Sequence, residues 1–150
     1  MPRRLLLALL LLATGCSGTG SASDPPAIEA GVSTCSACGM TIRDLRFAAA
    51  WTGEDGEVLR YDDVACLLRD LRDGLDPAGA WLSDFTAPGS LHRAAAMVLV
   101  RADFPSPMGG GYAAFSDPGT ARVRSKERNG ISGRLTEFVD GPPAPRKEAP

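Results

Sequence analysis

The chain has 150 residues, 44% of them hydrophobic, with a formal net charge of −2. Sixteen Lys and Arg stand against eighteen Asp and Glu, and no stretch concentrates the basic residues into a stripe. That balance disfavours nucleic acid as a partner. One histidine and no Ser/His/Asp set, phosphate loop or paired catalytic carboxylates leave little for acid–base chemistry near neutrality, so the sequence reads as non-enzymatic.

In chain order, Arg3-Arg4 precede an apolar run over residues 5–13, too short to span a bilayer but the right size for an export-signal core. The run ends Leu12-Ala13-Thr14-Gly15-Cys16, small residues leading into a cysteine, the pattern of a bacterial lipobox. Residues 1–15 are therefore expected to be a lipoprotein signal peptide and Cys16 the lipidated first residue of the mature chain. The Arg pair lacks the rest of a twin-arginine motif, which favours general secretion. Ser17 favours the outer membrane, so the expected location is its periplasmic face, or the cell surface in a host with one membrane. Removing residues 1–15 takes away two basic residues and no acidic one, leaving 14 against 18 and a mature charge of −4. Residues 16–33 are small and polar and read as a flexible tether. Residues 141–150, rich in proline, read as a disordered tail. Residues 34–140 are then one compact domain.

Within it, runs over 46–52 and 57–61 flank Gly53-Glu54-Asp55-Gly56 and predict a hairpin. Asp62 or Asp63 caps a helix to about residue 73, with Val64, Leu67, Leu68 and Leu71 at i, i+3, i+4, i+7 and Gly74 as its stop. Residues 81–85 and 95–101 read as strands, the second buried on both faces through Met97-Val98-Leu99-Val100. A loop over 105–111 leads to a short strand at 112–115. Asp117-Pro118 opens a helix to residue 128, and a last strand is expected over 133–139. Hairpins alternating with two helices predict an α+β fold.

The chemistry concentrates in Cys35-Ser36-Ala37-Cys38-Gly39-Met40. With Cys16 lipidated, three cysteines remain (Cys35, Cys38 and Cys66), an odd number that cannot all pair. Three readings compete for the Cys-x-x-Cys. A redox dithiol wants its first cysteine at a helix N-terminus, whereas this motif runs towards a strand. A zinc site assembled from Cys35, Cys38, Cys66 and His92 lacks a second paired spacing. Two thiols and a thioether in one turn suit Cu(I), the soft ion that such donors select. Cys66 on an apolar helix face reads first as a small buried hydrophobe, and His92, placed in a loop after Gly89-Ser90-Leu91, as a surface residue; both are secondary ligand candidates. Met108, beside Gly109-Gly110-Gly111, fits no core period and is a candidate thioether arm. Met97 reads as core, and the Asp62-Asp63 pair could bind a hard cation or a partner's basic patch, though helix capping explains it more simply.

Taken together, the lipobox, Cys-x-x-Cys-Gly-Met, Tyr61-Asp62-Asp63-x-x-Cys66 and Pro107-Met108-Gly109-Gly110-Gly111-Tyr112-Ala113-Ala114-Phe115 resemble the NosL family, copper-binding accessory lipoproteins of nitrous oxide reductase. The resemblance runs from about residue 35 to 138. It implies a Cu(I) metallochaperone of α+β fold built from two related ββαβ units. It also implies delivery to an apo copper enzyme, nitrous oxide reductase or a related one, with an ABC-type assembly complex as further partner. On the family pattern Cys38 and Met40 form the metal-binding core and Met108 the loop ligand. Cys35 departs from that pattern and makes a dithiol, able to ligate or to form a disulfide with Cys38. A membrane-tethered thiol–disulfide reductant and a zinc-stapled interaction module are the alternatives.

Overall fold

A computed structural model describes residues 24–141. The signal peptide, Cys16, the start of the tether and the tail after residue 141 lie outside the described residues. Among those described, no helix is long and apolar enough to cross a membrane.

The predicted hairpin forms as β1 (Ala49–Thr52) and β2 (Val58–Tyr61), antiparallel with Ala49 opposite Tyr61. Its turn is closed by Gly53 N–H donating to Glu57 O, with Gly56 at φ +86°, a value glycine adopts without steric cost. Helix α1 (Val64–Arg72) follows at once: Asp63 caps it by accepting from Ala65 N–H, and Val64, Leu67, Leu68 and Leu71 face the core. β3 (Ala80–Asp84) then pairs with β1. The second half repeats this order. β5 (Val98–Arg101) and β6 (Tyr112–Phe115) pair antiparallel, α2 (Pro118–Glu127) is capped by Asp117, and β7 (Ile131–Gly133) returns beside β5. The sheet runs β2-β1-β3-β6-β5-β7. Each half therefore places its first strand between its second and third, and the two ββαβ units meet where β3 and β6 touch in parallel. The fold is α+β, as expected.

Four expectations need correction. His92 lies in a strand, β4 (Ala87–Arg93), which pairs with β3 and sets His92 opposite Leu82. Pro88 and Gly89 disguised this strand, but its first four residues are exposed, and a partly unpaired edge tolerates proline. The expected strand over 133–139 stops at Gly133, and Leu135–Val139 is a short helix, α3. There Glu137 Oε1 accepts from Arg134 N–H, and Leu135 and Phe138, three apart, turn together into the core, Phe138 edge-on to Tyr112. Residues 94–96 form a 3-10 turn, so the strand expected from residue 95 begins only at Val98. The tether also ends sooner than read. Ala27 O accepts from Arg60 Nε, Ile28 packs on the core, and Gly31 N–H donates to Ile42 O.

Adjacent β5 residues Leu99 and Val100 enter different apolar clusters, so the sheet is buried on both faces. α1 and α3 cover one face together with Leu82, Leu99 and Tyr112, while α2 covers the other over Phe47, Val100, Phe104 and Phe115. The seam between the units is pinned by Asp84, which is buried at 3% exposure. Its carboxylate accepts from the backbone and hydroxyl of Thr86 and of Ser116. Burial opposes ionisation of Asp84, but these hydrogen bonds outweigh it and bring the group from its ordinary 3.8 to about 2. Because the folded value is depressed, the stabilisation is complete above about pH 5 and is lost as pH falls through 3.8 and past 2. Asp84→Asn should cost about 2 kcal/mol in urea unfolding at pH 7, and the deficit should shrink towards pH 2. A pH-independent deficit would contradict this account.

Candidate metal centre

The Cys-x-x-Cys segment forms a knuckle. Thr34 and Thr41 pair as an isolated bridge, Cys35 N–H donates to Met40 O (2.8 Å), and Gly39 N–H donates to Cys35 O (2.9 Å). Gly39 takes φ +76°, the left-handed value that lets the chain reverse after Cys38. The knuckle is clamped to both neighbours. Ser36 N–H donates to Arg60 O on β2 and Ser36 Oγ accepts from Arg60 N–H, while Arg69 Nη2 from α1 donates to Ala37 O (2.7 Å).

These clamps bring the knuckle against the start of α1. The sulfurs of Cys35, Cys38 and Cys66 and a carboxylate oxygen of Asp62 all lie within 4.8 Å of one another. Asp62 Oδ1 is 3.6 Å from Cys38 Sγ and 3.8 Å from Cys66 Sγ. Cys35, Asp62 and Cys66 are buried, and Cys38 alone is partly open to solvent. All three thiols are free.

The electrostatics show what the cluster lacks. Burial pushes the Cys35 thiol up, although the N–H groups of Asp62, Cys38 and Ala37 directed at its sulfur pull the other way. Burial also drives Cys66 up, reinforced by Cys35, Cys38 and Asp62 around it. Several anions therefore cannot coexist here without a cation among them. Asp62 Oδ2 is buried with no hydrogen-bond partner, an arrangement that costs free energy unless something positive occupies the pocket. The donor set thus fits a metal ion, and binding would release the thiol protons.

The other candidates fall around this cluster. Met40 follows Cys38 by two residues and is exposed at 48%; Met108 is exposed at 45%. The Met108 loop lies over the N-terminus of α1: Met108 N–H donates to Asp63 Oδ2 (2.8 Å), and a Cβ on Gly110 would come within 2.6 Å of Ala65 Cβ. His92 bonds Ser90 Oγ and is outside the cluster. Cys66 is a buried residue of the apolar face of α1 and also brings its sulfur to the other thiols. Capping, the simpler sequence reading of the Asp62-Asp63 pair over cation binding, is a role that Asp63 alone fills. The signal for Asp62 was its spacing of four from Cys66, which sets the two on one side of the first turn.

Fold and site together define an α+β domain with a buried soft-donor pocket at the mouth of one ββαβ unit. A solved structure similar to it is the crystal structure of the copper chaperone NosL from Shewanella denitrificans, with a TM-score of 0.60 and 19% sequence identity over 76% of this chain and 97% of that one. At this identity the likeness concerns the fold. No protein-family model matches the chain, and no curated protein does.

Proposed function

We propose that this chain is a lipid-anchored Cu(I) carrier, not an enzyme. The observation that carries the reading is the convergence of three thiols at a pocket opened only at Cys38, with the exposed Met40 two residues further on and the Met108 loop over the N-terminus of α1. Cys38 is the thiolate anchor, Cys35 the second thiolate, and Met40 and Met108 are outer thioethers that a client's site can share during transfer. Low coordination by soft donors binds Cu(I) tightly while leaving it open to associative exchange. The fold it shares with a copper chaperone supports this reading.

By the lipobox, Cys16 holds the carrier on the periplasmic face of the outer membrane. By the family resemblance, its clients are an apo copper enzyme, nitrous oxide reductase or a related one, and an ABC-type assembly complex. The thiol–disulfide reductant reading needs a thiol pKa lowered towards neutrality at Cys35, whereas burial raises it. Anaerobic titration of the reduced full chain in detergent, against a chromophoric Cu(I) chelator, should give one tightly held equivalent. Failure to compete with the chelator at all would end the carrier reading.

A further inference from the structure

In the metal-free cluster Asp62 Oδ1 accepts hydrogen bonds from the Cys38 and Cys66 thiols, and a carboxylate so placed is a donor that Cu(I), satisfied by sulfur alone, does not call for. A tetrahedral ion with metal–sulfur bonds of about 2.3 Å and metal–oxygen bonds of about 2.0 Å spaces its sulfur and oxygen donors about 3.5 Å apart. Asp62 Oδ1 already stands 3.6 Å from Cys38 Sγ and 3.8 Å from Cys66 Sγ, and all four donors fall within 4.8 Å of one another. The second carboxylate oxygen is buried and partnerless. A carboxylate in a dry pocket beside three thiols needs positive charge, and a divalent ion offsets twice the charge that Cu(I) does. Asp62 and Cys66 also sit at the positive end of α1, which helps to hold anionic donors there.

We propose that Cys35, Cys38, Cys66 and Asp62 form a closed, four-coordinate site for a divalent borderline ion of the Zn(II) class. The site ties the knuckle at residues 34–41 to the start of α1, and its ion leaves when Cu(I) takes Cys35 and Cys38. That exchange breaks and forms metal–sulfur bonds without moving an electron. The inference shares two thiols with the carrier reading but does not rest on it.

The test is titration of the reduced, metal-free full chain in detergent with Co(II), the spectroscopic substitute for Zn(II). One equivalent should produce strong thiolate-to-metal charge transfer in the near ultraviolet and the intense visible bands of a tetrahedral ion, and Zn(II) should bleach both. Cys66→Ser should remove about one-third of the charge-transfer intensity, as expected for one thiolate of three. Asp62→Ala should shift the visible bands and weaken Co(II) binding at least about 10-fold, and by more than it weakens Cu(I) binding. Near-ultraviolet circular dichroism of the metal-free variants checks folding. If Asp62→Ala does not fold, Asp62→Asn and the wild-type charge-transfer intensity decide. Absence of thiolate charge transfer, or Cys66→Ser and Asp62→Ala spectra identical to wild type, overturns the proposal. Cu(I) binding without Co(II) binding ends this inference and leaves the carrier reading. Co(II) binding without Cu(I) binding does the reverse.

Discussion

Replacing Cys38 with serine should lower the affinity of the full chain for Cu(I) by at least about 100-fold, since even losing a group that merely supports a metal ligand costs 10–100-fold. Cys38 is the only member of the thiol cluster open to solvent, so the carrier proposal makes it both a ligand and the point of entry. The serine hydroxyl is a hard, protonated donor that Cu(I) does not select. Cys35→Ser should follow closely, because its sulfur lies in the same pocket and its N–H already fixes the knuckle through Met40 O. Cys66→Ser should cost less, as burial and the surrounding Cys35, Cys38 and Asp62 hold the Cys66 thiol strongly in the protonated form. The measurement is competition with a Cu(I) chelator on each variant under argon. A larger loss in Cys66→Ser than in Cys38→Ser would reverse the assignment of anchor and secondary ligand.

The second large effect is expected at Gly111. Its φ of +67° is one that L side chains adopt only with strain, and an added Cβ would lie 2.1 Å from the carbonyl oxygen of Ala102. Backbone cannot move aside as a side-chain tip does. Ala102 N–H also donates to Gly111 O and Gly111 N–H to Ser106 Oγ, so the same residue closes both ends of the loop. Gly111→Ala should destabilise the chain by about 3 kcal/mol, combining left-handed strain with overpacking. Because this loop carries Met108 onto Asp63, Cu(I) transfer to a chelator should change alongside the fall in Tm. By contrast, Gly109 has φ +68° but nothing within 4 Å of an added Cβ, so Gly109→Ala should show the strain alone. Equal melting temperatures for the two variants would contradict the role given to Ala102.

The elements legible in the sequence were those whose local signals agreed with their tertiary surroundings. α1 carried an apolar stripe, a capping aspartate and a stop glycine, and it folds as read. The β1–β2 hairpin carried its turn residues between two strand-forming runs. β4 was illegible because its residues are chosen for an exposed edge, and Pro88-Gly89 looks the same in an edge strand as in a loop. α3 was misread because Thr136, Phe138 and Val139 have high strand propensity, and tertiary docking overrides it. Arg72 donates to the carbonyls of Phe138 and Val139, satisfying the end of a helix too short to stand alone.

The site was half legible. The knuckle thiols announce themselves by spacing and do meet in the cluster, whereas the structure places the Met108 loop against the N-cap Asp63. For Asp62, an acidic pair before a helix is so often a cap that capping outweighs cation binding, and its place among the thiols shows only when the knuckle folds over it. Cys66 was ambiguous for a related reason, since an apolar helix face that ends at a pocket needs a buried cysteine under either reading.

The most direct measurement is X-ray absorption at the copper edge on the full chain loaded anaerobically with one equivalent of Cu(I). The account predicts a reduced ion whose nearest shell contains sulfur only, from Cys35 and Cys38 with a third sulfur, and a shell that loses a sulfur in Cys38→Ser. A nearest shell of nitrogen or oxygen, or one unchanged by Cys38→Ser, would contradict the claim that this pocket carries Cu(I).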